Sequence, residues 1–227
     1  MKKVLSVLFL CAALVLPAYA QDVFEQRSKN MFLTLGLIGS SIGEVFVGGG
    51  TSFGYYPSRH NLLTAEVNVG FYGAGKIGEF RYGRYPYYDE FKGDINYDYT
   101  SVEVLFSWNF VAKVSRKIDL RFGPSLGLLS ITGSESFDPT THNGRDIEGI
   151  PDSHSESKTA FAAGIGTGIT VNFVRSCFLD FGYRFLANSG ITFDERRLRI
   201  LRKNVIVEKQ EFDKFEHQFN MTIGWRF

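Results

Sequence analysis

Eight times along this chain apolar and polar side chains alternate with a period of two, and no stretch of comparable length follows the helical period. The segments lie at about 31–40, 43–56, 61–74, 98–112, 117–132, 158–173, 177–190 and 215–227. Successive strand side chains point to opposite faces, so each segment reads as a strand with one oily face and one wet face. The clearest runs from Ser101 to Phe110, where one face carries Val102, Val104, Phe106, Trp108 and Phe110. The closing segment puts Phe219, Met221, Ile223, Trp225 and Phe227 on one side and ends on that aromatic.

Residues 1–20 carry the marks of a secretory signal: Lys2 and Lys3, an apolar run from Val4 to Leu16, then Ala18-Tyr19-Ala20 before Gln21. That run is shorter than the roughly 20 residues a spanning helix needs. Cleavage after Ala20 is expected, leaving a polar leader at 21–30 and a single domain at 31–227. Removing Lys2 and Lys3 takes Lys+Arg from 25 to 23 against 24 Asp+Glu. That balance gives no basic footprint for nucleic acid. Only Cys177 would survive processing, which excludes an intramolecular disulfide and a multi-cysteine zinc site.

Connection lengths carry a second rhythm. Short turns at 57–60, 113–117 and 174–176 alternate with long connections at 75–97, 133–157 and 191–214, the tight first connection near Ser40 to Ile42 being the exception. Short turns on one side and long loops on the other are the layout of a membrane barrel. In a bilayer every backbone polar group must pair within the protein, so such a sheet has to close. The expected fold is all-β: a closed antiparallel eight-stranded transmembrane up-and-down β-barrel with short periplasmic turns and long extracellular loops.

With this architecture over 31–227 and a last strand ending Trp225-Arg226-Phe227, the chain resembles the small OmpA/OmpX-type outer-membrane barrels. Its abundance of Gly and Phe also resembles the broad barrel family of Bacteroidetes-type bacteria that includes PorT-like proteins of a secretion system. The resemblance implies an address in the outer membrane of a Gram-negative cell and Trp225 and Phe227 as part of the signal read by the barrel-insertion machinery. It also implies outer-membrane lipids and lipopolysaccharide as surroundings, and a secretion-system or surface partner as a further role.

An eight-stranded barrel is just wide enough for side chains to fill. Along Gly164 to Asn172 every second position is Gly, Gly, Gly, Thr and Asn, a small wall that leaves room for large residues from other strands. Glu66, Glu103, Arg121, Asp180, Arg184 and Arg226 share the inward phase. Buried charges are costly unless paired, so an interior ion-pair network is expected, with Glu103 near Arg121 and Asp180 near Arg226. Tyr55, Tyr56, Phe110, Phe173, Trp225 and Phe227 are expected in an interfacial girdle at the short-turn end, with Phe71, Tyr97 and Tyr99 in the outer one.

The loops would carry any specific binding. Tyr82, Tyr85, Tyr87 and Tyr88 beside Arg81, Arg84 and Pro86 form an aromatic surface in the second. The third, with Glu135, Asp138, Asp146, Glu148, Asp152 and Glu156, reads as solvated and lacks calcium- or zinc-ligand spacing. In the fourth, alternation on either side of 202–204 suggests a hairpin, and Arg196, Arg197, Arg199, Arg202 and Lys203 are placed to meet lipopolysaccharide phosphates. No nucleophile–base set converges. His60 falls on a short turn, His217 on the inward phase without a serine two residues away, and His142 and His154 in a serine-rich loop. The expectation is a non-enzymatic protein with no cofactor and no metal site; a secretion accessory and a lipid A-modifying enzyme are the alternatives.

Overall fold

Alternating Val, Leu, Phe and Thr suit a pleated strand whose two faces meet different surroundings, and every segment with that pattern forms one. The computed structural model describes residues 30–84, 87–138, 141–142, 145–146, 153–174, 176–200, 203–207 and 209–227, without the side chains of 74–93, 141–146 and 198–207. The expected signal and all of the leader but Asn30 lie outside the described residues. The strands are β1 (Met31–Ile42), β2 (Glu44–Ser58), β3 (Asn61–Arg84), β4 (Tyr87–Lys113), β5 (Ile118–Asp138), β6 (Thr141–His142), β7 (Arg145–Asp146), β8 (Ser155–Val174), β9 (Cys177–Asn188), β10 (Ile191–Phe193), β11 (Arg196–Ile200), β12 (Lys203–Val207), β13 (Gln210–Phe212) and β14 (Phe215–Arg226).

Eight of them close a ring in the order β1-β14-β9-β8-β5-β4-β3-β2, with every neighbouring pair antiparallel. Closure removes the sheet edges, and β1 and β14 pair from Phe32–Arg226 to Ser41–His217. The ring is an up-and-down barrel of the OmpA/OmpX architectural type. Matched residues run from Phe32 through Gly54, Thr64, Ser107, Ser125, Gly164 and Leu186 to Glu216, and return to β1 one step beyond the Ser41–His217 pair. The row therefore re-enters at Ile42, ten residues from its start. With a rise of about 3.3 Å per residue and strands about 4.8 Å apart, that stagger tilts the strands by roughly 40°.

The long connections are less loop-like than the sequence suggests. β3 and β4 stay paired as far as Arg84–Tyr87, so the tyrosine-rich segment is largely a continued hairpin. The side chains of Arg81, Tyr82, Arg84, Tyr87 and Tyr88, with residues 85 and 86, lie outside the described residues. In the last connection β11 pairs with β12 from Arg196–Val207 to Ile200–Lys203, forming the expected hairpin as a small separate sheet. A second small sheet, β10 with β13, lies between it and the barrel. Gly190 at φ 93° ends β9 there, with its N–H bonded to Asn188 Oδ1 at 2.8 Å, and Gly43 at φ 82° makes the tight β1–β2 turn. Both need the left-handed backbone that only glycine adopts without penalty.

Candidate functional site: a braced lumen between two apolar plugs

The barrel is inverted relative to a soluble protein. Its outer wall exposes Leu35, Leu37, Val47, Phe106, Trp108, Phe122, Leu126, Ile165, Phe219 and Trp225, with Ile165 as much as 67 % exposed. Glu66, Glu103, Arg121, Asp180 and Arg184 are buried inside. A continuous apolar belt of this extent is a surface for acyl chains, since water would penalise each of these side chains by about 1.5–3 kcal/mol relative to burial.

Two struts cross the lumen. Arg184 on β9 donates to Glu66 Oε1 on β3 at 2.7 Å and to Gln218 Oε1 on β14 at 2.5 Å. Gln218 passes the link on, its Nε2 donating at 2.5 Å to Glu103 Oε2 on β4, which also accepts from Asn68 Nδ2 at 2.7 Å. β9 and β3 stand opposite each other in the ring, as do β14 and β4. Lower down, Arg121 grips Asp180 through both Nε, at 3.1 Å to Oδ1, and Nη2 to Oδ2. Thr170 donates to Asp180 Oδ1 at 2.7 Å. Such fork-on-carboxylate contacts fix geometry as well as charge.

Both expected pairings are corrected here. On adjacent strands Glu103 faces Leu129 and Arg121 faces Val111, so the two charges are separated by eight residues along β5, roughly 26 Å. Asp180 faces Thr222, four residues from Arg226, and is held by Arg121 instead. The Arg226 guanidinium lies 4.6 Å from the Phe178 ring centre. Partners are chosen across the bore and over the small wall rather than along a hairpin. Gly168 and Gly182 provide the passage for Arg121: a Cβ on Gly168 would sit 2.7 Å from its Nε, and one on Gly182 3.0 Å from its Nη2.

Above and below this polar layer the bore is apolar. Phe32, Tyr56, Leu62, Val111 and Phe178 close the short-turn end. Ile42, Phe46, Tyr97, Tyr99, Leu129, Ile131, Ala160 and Ala162 close the other, joined by Ile191, Phe193 and Phe212 from β10 and β13. Tyr56, Tyr97 and Tyr99 therefore plug the bore, where an external girdle was expected; each sits on the inward parity of its strand. Tyr55, Phe71, Phe110, Trp225 and Phe227 do face outward, and Phe173 is half-buried. Between the plugs remain cavities of about 20 Å³ and about 10 Å³, each room for about one water.

The third and fourth connections meet at Glu135. This residue, read from sequence as solvated, is buried at 1 % exposure and accepts from Arg196 Nη1 at 2.8 Å. Burial pushes its carboxyl above the usual range and outweighs the opposing pull of Arg196. Arg196 is thus engaged below the hairpin, and exposed Arg197 lies 3.6 Å from Glu195. The side chains of Arg199, Arg202 and Lys203 lie outside the described residues, as do those of His142 and Asp146 and residues 148 and 152. His217 points outward, its Nδ1 2.7 Å from the Tyr183 hydroxyl, which corrects the inward reading. The alternation of Phe219 and Met221 already placed 217 on the outer phase. Thr170 lies on the expected small wall, but its bond to Asp180 is not legible there; Asn68 and Gln218 carry no charge to single them out, and reading His217 as inward hides Glu216. No group of three or more His, Cys, Asp or Glu among the described residues is arranged to hold a metal.

No family model and no curated protein matches the chain. Among solved structures it is similar to Ail, the attachment invasion locus protein of Yersinia pestis, at 14 % identity over 88 % of this chain and 99 % of that one, with a TM-score of 0.48. It is also similar to a major outer membrane protein from Thermus thermophilus, at 10 % identity, 87 % and 99 % coverage and a TM-score of 0.49. A third is OprG from Pseudomonas aeruginosa, at 10 % identity, 91 % and 99 % coverage and a TM-score of 0.46. The barrel assignment rests on the closed ring of strand pairs in the chain itself.

Proposed function

We propose that this chain is a non-enzymatic integral outer-membrane β-barrel whose lumen is sealed and whose outer loops serve envelope structure or surface binding. One observation carries the reading: apolar side chains face out and paired charges face in. Residues 1–20 export it and are removed, and Trp225 near the end of β14 and Phe227 just beyond it present the strand to the insertion machinery. The basic hairpin tip, Arg197, Arg199, Arg202 and Lys203, meets lipopolysaccharide phosphates, while Arg196 anchors the hairpin to Glu135. Heat-dependent migration on a denaturing gel, with loops cleaved by protease added to intact cells, supports the reading; a detergent-independent periplasmic monomer overturns it. Planar-bilayer recordings test the seal, and large stable conductance steps contradict it. Glutamine at 197, 199, 202 and 203 is expected to weaken lipopolysaccharide association; unchanged association removes that part. A partner role in secretion would appear as a defined complex after mild detergent extraction.

A further inference from the structure

The lipid-facing wall is not evenly covered. Thr167 on β8 stands between Phe122 on β5 and Tyr183 on β9, so two rings rise from backbones about 10 Å apart with only a threonine between them. Two residues further up the same strands, Pro124 faces Ile165. The β4–β5 register runs to Ser107–Ser125 and resumes at Phe110–Phe122, and Pro124, which has no N–H to give to a ladder, sits in that gap. Thr167 and Pro124 floor an open groove of about 680 Å³, within the range of about 300–1,000 Å³ usual for small-molecule sites. Trp108 and Phe110 extend one side of it and Phe185 the other. The polar tips of these walls are already satisfied: Trp108 Nε1 donates to Asn61 Oδ1 at 3.1 Å, and the Tyr183 hydroxyl lies 2.7 Å from His217 Nδ1. What the groove still offers is apolar.

The groove begins just above two basic turns. Phe122 lies four residues above Ile118, roughly 10 Å along the barrel axis at a tilt of about 40°. Below it the turns at 57–60 and 113–117 carry Arg59, Lys113, Arg116 and Lys117 and no acid. His60 stacks on Phe110 with ring centres 5.8 Å apart, which ties the first turn to the rim of the groove. Asp119, the acid nearest these turns in sequence, faces the lumen and accepts from Asn172 Nδ2 at 3.1 Å. We propose that this groove holds one acyl chain of an anionic glycerophospholipid whose headgroup is met by Arg59, Lys113, Arg116 and Lys117. The site rests on the outer-membrane reading, which puts these turns at the periplasmic leaflet. Charge complementarity selects the headgroup, because basic residues at a bilayer surface attract anionic lipids. A bare phosphate gains nothing from the rings, and a neutral lipid gains nothing from the turns.

The test refolds the purified protein into detergent micelles doped with phosphatidylglycerol or with phosphatidylcholine of the same acyl chains, at neutral pH and low salt. Heat-dependent migration first checks closure; a chain that fails there overturns the barrel reading and the groove with it. Lipid retained by the closed barrel is then counted by native mass spectrometry. About one phosphatidylglycerol per chain is expected, with about tenfold less phosphatidylcholine retained. Replacing Lys113, Arg116 and Lys117 together by glutamine should bring phosphatidylglycerol down to the phosphatidylcholine level. Thr167→Phe, or Thr167→Leu where the ring prevents closure, fills the floor and should abolish retention in a barrel that still migrates heat-dependently. A closed barrel that retains no lipid overturns the proposal alone, as does equal retention of both lipids. Retention that survives the Thr167 substitution places the lipid elsewhere and overturns it too. Displacement by equimolar lipopolysaccharide, or a dimer mass lost on the same substitution, gives the groove to another occupant and overturns the phospholipid assignment.

Discussion

The middle of the lumen and its outer plug fill the same tube by opposite means. The polar layer is built wholly from barrel strands: Glu66, Glu103, Arg121, Asp180, Arg184 and Gln218 are locked by a register that cannot slip without turning every side chain to the wrong face. The plug borrows three of its members, Ile191, Phe193 and Phe212, from short strands beyond the Gly190 break. The first is therefore as stable as the barrel, whereas the second can open locally while the barrel stays closed. Dispersion and apolar contact hold the plug, and they tolerate small displacements. Ion pairs in a dry bore do not, because an unpaired charge left behind costs several kcal/mol.

That contrast can be broken most forcefully at Arg121. Its replacement by alanine strands Asp180 in the lumen and should cost about 3–5 kcal/mol in urea unfolding of the refolded protein; a loss near zero would mean that water, not arginine, solvates Asp180. Gly168→Leu should cost about 1–3 kcal/mol, since its Cβ would meet the Arg121 guanidinium and the Phe181 carbonyl, and an unaffected variant would show that the arginine has another route.

Phe212→Ala sharpens the other side. Protease cleavage between 190 and 212 should accelerate by tenfold or more, on the order of 1.4 kcal/mol in the local opening equilibrium, while heat-modifiable migration of the barrel is retained. Global unfolding at the same dose would merge the two regions into one cooperative unit. Glu135 gives a smaller, pH-dependent effect. Its folded carboxyl titrates above its unfolded one, so the stabilisation is fully present below the unfolded value and declines as pH rises through the folded value. Cleavage of the same segment should thus slow as pH falls from 7 towards 4.5. Faster cleavage on acidification would make the Arg196 ion pair the stronger influence. Arg197→Gln should change neither stability nor cleavage measurably, since that side chain is exposed and its carboxylate partner is 3.6 Å away.

Residue parity was legible along nearly every strand. The inward phase of Glu66, Glu103, Arg121, Asp180 and Arg184 follows from alternation, and so does the outward phase of Phe106 and Trp108. The inward placement of Tyr56, Tyr97 and Tyr99 follows from the same alternation, which overrides the general preference of tyrosine for a membrane interface. Glu135 was not. Its neighbours Ser134 and Ser136 look like any solvated loop, and its burial depends on β5 continuing upward and on Arg196, sixty-one residues away, reaching back to it.

The sequence by itself determined that strands form, that each has two unlike faces, and that the sheet must close, because a period of two is local and backbone pairing in lipid is obligatory. Only the tertiary structure decided which charges meet. A stagger of ten residues around eight strands brings β9 opposite β3 and β14 opposite β4 at particular heights, and no single strand carries the information that Arg184 will reach Glu66 or that Gln218 will reach Glu103. Pairing across a bore depends on the tilt of the whole ring, a sum over every turn and bulge in it.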